Sequence, residues 1–171
     1  MNGGWCKLEL MALLGILLVP ATTTATGTGG LFRTLDGERA ALGNYIPADR
    51  WLVLVIWSHT CPVCRAELGG YSTLFEQHRD GRLTVLGLSL DGESGTLEAW
   101  AFIEELDLAF PSLIGEPAAV ADFFRRASGG AFQGTPTLLV YAPSGVLKGT
   151  QAGAVPPAAI EAFIASLDTG S

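Results

Sequence analysis

A chain of 171 residues with 10 Lys and Arg against 17 Asp and Glu carries a formal net charge of −7, and 49% of it is hydrophobic. That length suits one well-filled core and is short for two ordinary domains. An acidic chain without a Lys/Arg stripe argues against nucleic acid and anionic membrane surfaces as partners.

The first 25 residues read as a leader. Lys7 precedes an apolar run from Leu10 to Val19, and small residues follow Pro20 as far as Ala25. The run matches a secretory h-region and falls well short of the roughly 20 residues that span a bilayer. Glu9 offsets Lys7, so the segment is either a cleaved signal peptide or a short uncleaved anchor. In both cases the rest is exported to where disulfides persist. Residues 26–30 are expected to be a linker and 31–168 the domain. Cys6 precedes the apolar run, the wrong side for a lipoprotein cysteine, and is read as incidental.

Leu31 to Leu35 alternates as an edge strand does, and Asp36-Gly37 supplies a turn. The apolar run Trp51–Trp57 is a buried central strand. From Pro62 to about His78, Val63, Leu68, Tyr71, Leu74 and Phe75 recur at helical spacing, with Gly69-Gly70 marking a kink. Leu83–Leu90 is a second strand of the continuous apolar kind that parallel sheets use. Ser94 to Leu106 is the next helix, with Leu97, Trp100, Ala101 and Ile103 in its pattern. Residues 110–114 form a short strand and 118–126 a short helix. Ala142-Pro143-Ser144-Gly145 turns strand 137–141 into strand 146–150, and 158–167 is a closing helix. A parallel βαβ half joined to an antiparallel hairpin predicts an α/β fold: a mixed central sheet flanked by helices on both faces.

Chemistry concentrates at Cys61-Pro62-Val63-Cys64, where the central strand gives way to a helix. Two cysteines so spaced at a helix start read as a redox pair. A cysteine there faces unpaired backbone N–H groups and the positive end of the helix dipole, which favour its thiolate. Pro62 sits where the N–H it lacks would have had no helical partner. Cys64, one turn in, is placed to attack a mixed disulfide at Cys61. A bridge closing so short a loop adds little by loop entropy, so a purely structural disulfide is a poor explanation.

The segment from the strand through Cys61-Pro62-Val63-Cys64, the Gly134-Thr135-Pro136-Thr137 segment and the Pro143-Ser144-Gly145 hairpin together resemble the thioredoxin superfamily. Within it the chain is similar to the exported TlpA/ResA-like thiol–disulfide oxidoreductase branch, over roughly residues 31–168. The resemblance implies a thioredoxin fold and a periplasmic, monomeric enzyme exchanging its Cys61–Cys64 pair with cysteine-containing protein clients. It implies a reductant in cytochrome c maturation or related thiol chemistry, with a membrane thiol reductase as electron donor. Pro136 would then be cis, and Thr135 would offer its main chain to an incoming client segment. No bound cofactor or metal is called for, because the cysteine pair carries the two electrons itself.

The departures bear on proton transfer. Thr60 stands where the superfamily usually has tryptophan, and Val55 where thioredoxin has a buried aspartate. Two residues are candidates for assisting proton transfer at Cys64: Glu93, which the resemblance places where some relatives have a functional glutamate, and His59; the plainer reading of Glu93 is a solvated carboxylate in the first turn of a helix. His59 either tunes the Cys61 thiolate or is an exposed loop histidine. Trp57 is expected to pack beneath the site, and Val63 lies in the dipeptide that shifts the potential.

Other readings fare less well. Zinc needs four ligands, and no second Cys or His pair completes a set. Cys61, Cys64 and His59 could hold Cu(I), making the protein a metallochaperone. Covalent haem attachment fails because Arg65 stands where histidine is required. A peroxidase fails because residues 51–60 hold no proline upstream of the reactive cysteine. A non-catalytic module that binds thiol clients is separated from an enzyme by mutating both cysteines.

Overall fold

The computed structural model describes residues 31–169. The expected leader and linker, residues 1–30, lie outside them, and so does Cys6. In chain order the elements are β1 (Leu31–Thr34), β2 (Arg39–Ala41), β3 (Trp51–Trp57), α1 (Pro62–Gln77) and β4 (Leu83–Ser89). They continue with α2 (Thr96–Glu105), β5 (Ser112–Ile114), α3 (Pro117–Ser128), β6 (Thr137–Tyr141), β7 (Leu147–Ala152) and α4 (Pro157–Asp168). One mixed sheet runs β2-β1-β5-β4-β3-β6-β7.

All residues of β3 are buried because it lies between two long neighbours and beneath helices on both faces. It pairs in parallel with β4 from Trp51↔Leu83 to Trp57↔Ser89, and antiparallel with β6 from Leu52↔Tyr141 to Ile56↔Thr137. Its side chains alternate between the two faces, as a period of two requires. Val53, Val55 and Trp57 meet Cys64, Leu68 and Tyr71 of α1, Phe102 of α2 and Ile160 of α4. Leu52, Leu54 and Ile56 meet Val120 and Phe123 of α3 together with Phe32 and Leu42. The fold is therefore a thioredoxin-like α/β sandwich with helices on both faces.

Four local expectations need correction. The turn at Gly37 is followed by a strand, β2, that the expected pattern lacks; three residues are too few to show alternation, and pairing with β1 defines it. The Gly69-Gly70 pair does not interrupt α1, which runs unbroken from Pro62 to Gln77. Gly70 instead leaves room for α4, since a Cβ there would stand 3.3 Å from Pro157 Cγ. The expected apolar face of α2 is also displaced. Ala99 and Phe102 are buried, whereas Leu97 and Trp100 are 74% and 50% exposed. Finally, the strand before α3 starts at Ser112 rather than Phe110, although the Phe110 side chain is buried.

Candidate active site

The chain leaves β3 at Trp57, turns through Ser58, His59 and Thr60, and enters α1 with Cys61 as its N-cap. Cys61 N donates to the Ser58 carbonyl at 3.1 Å, and Cys64 N donates to Cys61 Sγ at 3.0 Å. A sulfur thus takes the place of the oxygen that usually caps a helix. Pro62 occupies the first turn of the helix at no cost in hydrogen bonds. Cys61 and Cys64 form a disulfide with their Cα atoms 5.2 Å apart. Cys61 is 8% exposed and Cys64 0%, so an incoming group meets Cys61 first.

The loop entering β6 closes over the pair. The Thr135–Pro136 bond is cis, Pro136 is buried, and the Thr135 carbonyl oxygen lies 3.4 Å from Cys61 Sγ. Gly153 N donates to the Pro136 carbonyl at 2.8 Å, which ties this loop to the one leaving β7. Tyr71 of α1 anchors that second loop: its hydroxyl donates to Val155 O at 2.9 Å and accepts from Val155 N at 3.2 Å. Burial pushes the Tyr71 phenol up, keeping it a neutral donor.

Trp57 is fully buried and stacks on Phe102 with ring centroids 5.2 Å apart. Arg65 lies outside that stack, its guanidinium 4.9 Å from the Phe102 centroid and 2.5 Å from Glu105. Val63 is exposed beside the disulfide, as are Pro62 and Thr60.

His59 and Glu93 part company. Glu93 is 75% exposed, and its carboxylate faces Arg33 at 3.8 Å, with neither cysteine among its contacts. The backbone N–H of Glu93 is held by Glu116 at 2.9 Å. His59 turns instead toward Asp91, a residue that the sequence pattern did not single out. The Asp91 side chain is only 3% exposed, and its Oδ1 lies 3.0 Å from His59 Nδ1, a distance for ion pairing without hydrogen-bond alignment. Asp91 also accepts from Ser58 Oγ at 2.5 Å, from His59 N at 3.0 Å and from Ser89 Oγ at 2.7 Å. The signal available in sequence was Ser89-Leu90-Asp91, polar residues closing an apolar strand beside the one that carries the cysteines.

Chemically the arrangement holds a slightly exposed cysteine and a fully buried one at a helix N-terminus, with a main-chain acceptor against the sulfur of the first. Among the described residues, no three His, Cys, Asp or Glu side chains are grouped so as to hold a metal ion.

The chain is 24% identical over 113 residues to the thiol-disulfide oxidoreductase ResA of Oceanobacillus iheyensis, covering 66% of this chain and 55% of that one. It is 28% identical over 92 residues to the thioredoxin-like protein YneN of Bacillus subtilis, covering 53% of this chain and 52% of that one. The chain thus spans about half the length of the curated relatives it matches. A solved thiol:disulfide interchange protein of the thioredoxin family from Chlorobium tepidum superposes with a TM-score of 0.65 at 17% identity, over 83% of this chain and 97% of that one, which shows the fold. Residues 21–150 match the AhpC/TSA family model, and with most of the chain so covered the protein belongs to the AhpC/TSA family.

Proposed function

We propose that the protein is an exported thiol–disulfide oxidoreductase that reduces disulfides in protein clients, with Cys61 as attacking and Cys64 as resolving group. The observation that carries this reading is Cys61 Sγ at the N-cap of α1, on the less buried residue of the pair and 3.4 Å from the Thr135 carbonyl. In the reduced protein the Cys61 thiolate attacks one sulfur of a client disulfide. A mixed disulfide forms, and the other client sulfur leaves as a thiolate. Cys64 loses its proton and attacks Cys61 Sγ, which restores the Cys61–Cys64 disulfide and releases the second client thiolate. Two electrons pass to the client, and a membrane thiol reductase returns them.

Thr135 and Pro136 are the client-facing shelf in this reading, with the Thr135 main chain pairing to an extended segment around the client cysteine. The N-terminal leader delivers the domain to the periplasm, where apocytochromes and related thiol proteins are the clients. The relatives' names, a thiol-disulfide oxidoreductase and a thiol:disulfide interchange protein, support the same chemistry. Glu93 faces Arg33 rather than the cysteines, so a part in proton transfer requires its exposed side chain to leave that partner.

The test is the reduction potential of the Cys61–Cys64 couple, measured against glutathione or dithiothreitol buffers and paired with an insulin-reduction assay. A value near the roughly −270 mV of thioredoxin is expected. A value near the roughly −120 mV of a strong oxidant would make the protein a disulfide donor. Failure to cycle in either direction would remove the enzymatic reading.

A further inference from the structure

Asp91 has no part in the exchange reaction, yet it is the buried carboxylate next to the site. Burying such a group is costly unless donors surround it. Here the donors come mainly from the turn that delivers Cys61. Ser58 Oγ and His59 N donate to Asp91 at 2.5 and 3.0 Å, and His59 Nδ1 stands 3.0 Å from its Oδ1. Ser89 Oγ donates from the end of β4 at 2.7 Å. The hold is passed onward: Ser58 Oγ accepts from Thr60 N at 3.2 Å, and the Ser58 carbonyl accepts from Cys61 N at 3.1 Å. Gly95 closes tightly behind, since a Cβ there would come within 2.9 Å of Asp91 Cβ.

We infer that Asp91 is a positioning residue for the attacking thiol: it clamps Ser58, His59 and Thr60 so that Cys61 Sγ stays at the N-cap of α1. His59 enters that clamp through its backbone N–H, with its Nδ1 3.0 Å from Asp91 Oδ1. The inference rests on the dithiol–disulfide reading above. Its chemical consequence is that the sulfur keeps the Cys64 N–H and the positive helix terminus, both of which favour the thiolate. A turn released from Asp91 lets the sulfur leave that position.

The sign of the effect separates positioning from charge. A carboxylate near a thiol disfavours the thiolate, so a purely electrostatic role means that neutralising Asp91 makes Cys61 more reactive. Positioning means the opposite. Asp91→Asn keeps the shape, but an amide offers one acceptor oxygen where several donors converge, and the His59 N–H cannot reverse its role.

The experiment follows iodoacetamide modification of Cys61 in the reduced full-length protein from about pH 5 to about pH 9, with the modified peptide assigned by mass. Asp91→Asn is expected to slow modification at neutral pH about three- to tenfold and to move the pH midpoint upward. A rate that is unchanged or faster overturns the inference. Ser58→Ala, which removes only the hydroxyl between Asp91 and Thr60, is expected to act in the same direction. It decides the question if Asp91→Asn does not fold, an unchanged or faster rate again being contrary. Modification needs no client, so a protein that shows these shifts but never reduces insulin would lose the functional reading and keep the clamp.

Discussion

Cys61 Sγ and the Thr135 carbonyl oxygen stand 3.4 Å apart, although 74 positions separate the two residues in the chain. The contact joins the N-cap of α1 to the loop that opens β6, and β6 is the sheet neighbour of β3, the strand from which α1 departs. Strand pairing therefore places the acceptor against the sulfur. Nothing in the local sequence of either segment encodes the distance.

The unequal burial of the two cysteines gives the first prediction. Cys64→Ser leaves Cys61 able to attack and removes the group that releases the client, so covalent protein adducts should accumulate on non-reducing gels. Among the described residues Cys61→Ser leaves only the fully buried Cys64 thiol, and in a protein that also carries Cys6→Ser it should yield neither adducts nor insulin reduction. Adducts formed through Cys64 in that variant would reverse the assigned roles.

Glycine to alanine should have opposite signs at two positions. Gly87 lies in β4 beneath Trp57, where an added Cβ would overlap Ser112 Oγ and come within 2.8 Å of Trp57 Nε1. These neighbours are buried on both sides of the strand and have little room to yield. Gly87→Ala should therefore lower stability by about 1–3 kcal/mol, read as a lower denaturant midpoint. A midpoint equal to the parent's would show that the core gives way more easily than its packing indicates.

Gly69 is the converse case. It sits exposed within α1, an added Cβ would meet nothing within 4 Å, and its helical backbone suits alanine. Gly69→Ala should stabilise by about 0.5–1 kcal/mol through a less flexible unfolded chain. Thermal unfolding would report a higher midpoint; a lower one would show that the helix needs the glycine there.

Tyr141 gives a pH prediction. Its hydroxyl is buried without a hydrogen-bond partner among the described residues, and burial pushes the phenol up to about 12. An unfolded chain holds it at about 10. Below about pH 10 both states keep the proton and the group adds no pH dependence; above it the unfolded chain loses the proton first. Stability should thus fall between about pH 10 and about 12, and Tyr141→Phe should flatten that fall. At neutral pH the same variant should be neutral or stabilising by up to about 1 kcal/mol, because it removes an unpaired buried group. An alkaline unfolding curve identical to the parent's would place the titration elsewhere.

The elements that were legible in sequence are those whose cause is local. A cysteine pair at the end of an apolar run, with Pro62 in the first turn, reads as a helix-capping redox site because capping, dipole and proline geometry act within a few residues. Trp51–Trp57 and Leu83–Ser89 read as buried strands because a sheet covered on both faces demands unbroken apolar runs. The Ala142–Gly145 turn was legible for the same reason, with Gly145 at a φ of 77° supplying the left-handed residue.

What the tertiary structure alone decided is which side chain meets which. Leu97 and Trp100 carry the apolar character of α2, yet Ala99 and Phe102 face the core, because the docking angle of a short helix is set by the sheet beneath it. Glu93 and Asp91 are two residues apart in one loop, and the sequence reading took up Glu93 and passed over Asp91. The loop at Gly92, with a φ of 72°, turns one carboxylate out to Arg33 and leaves the other buried against Ser58 and His59. Local sequence determined that a cysteine would cap a helix. Only the pairing of β3 with β4 and β6 decided that Asp91 would hold its turn and Thr135 would face its sulfur, because sheet register brings together residues that sequence distance keeps apart.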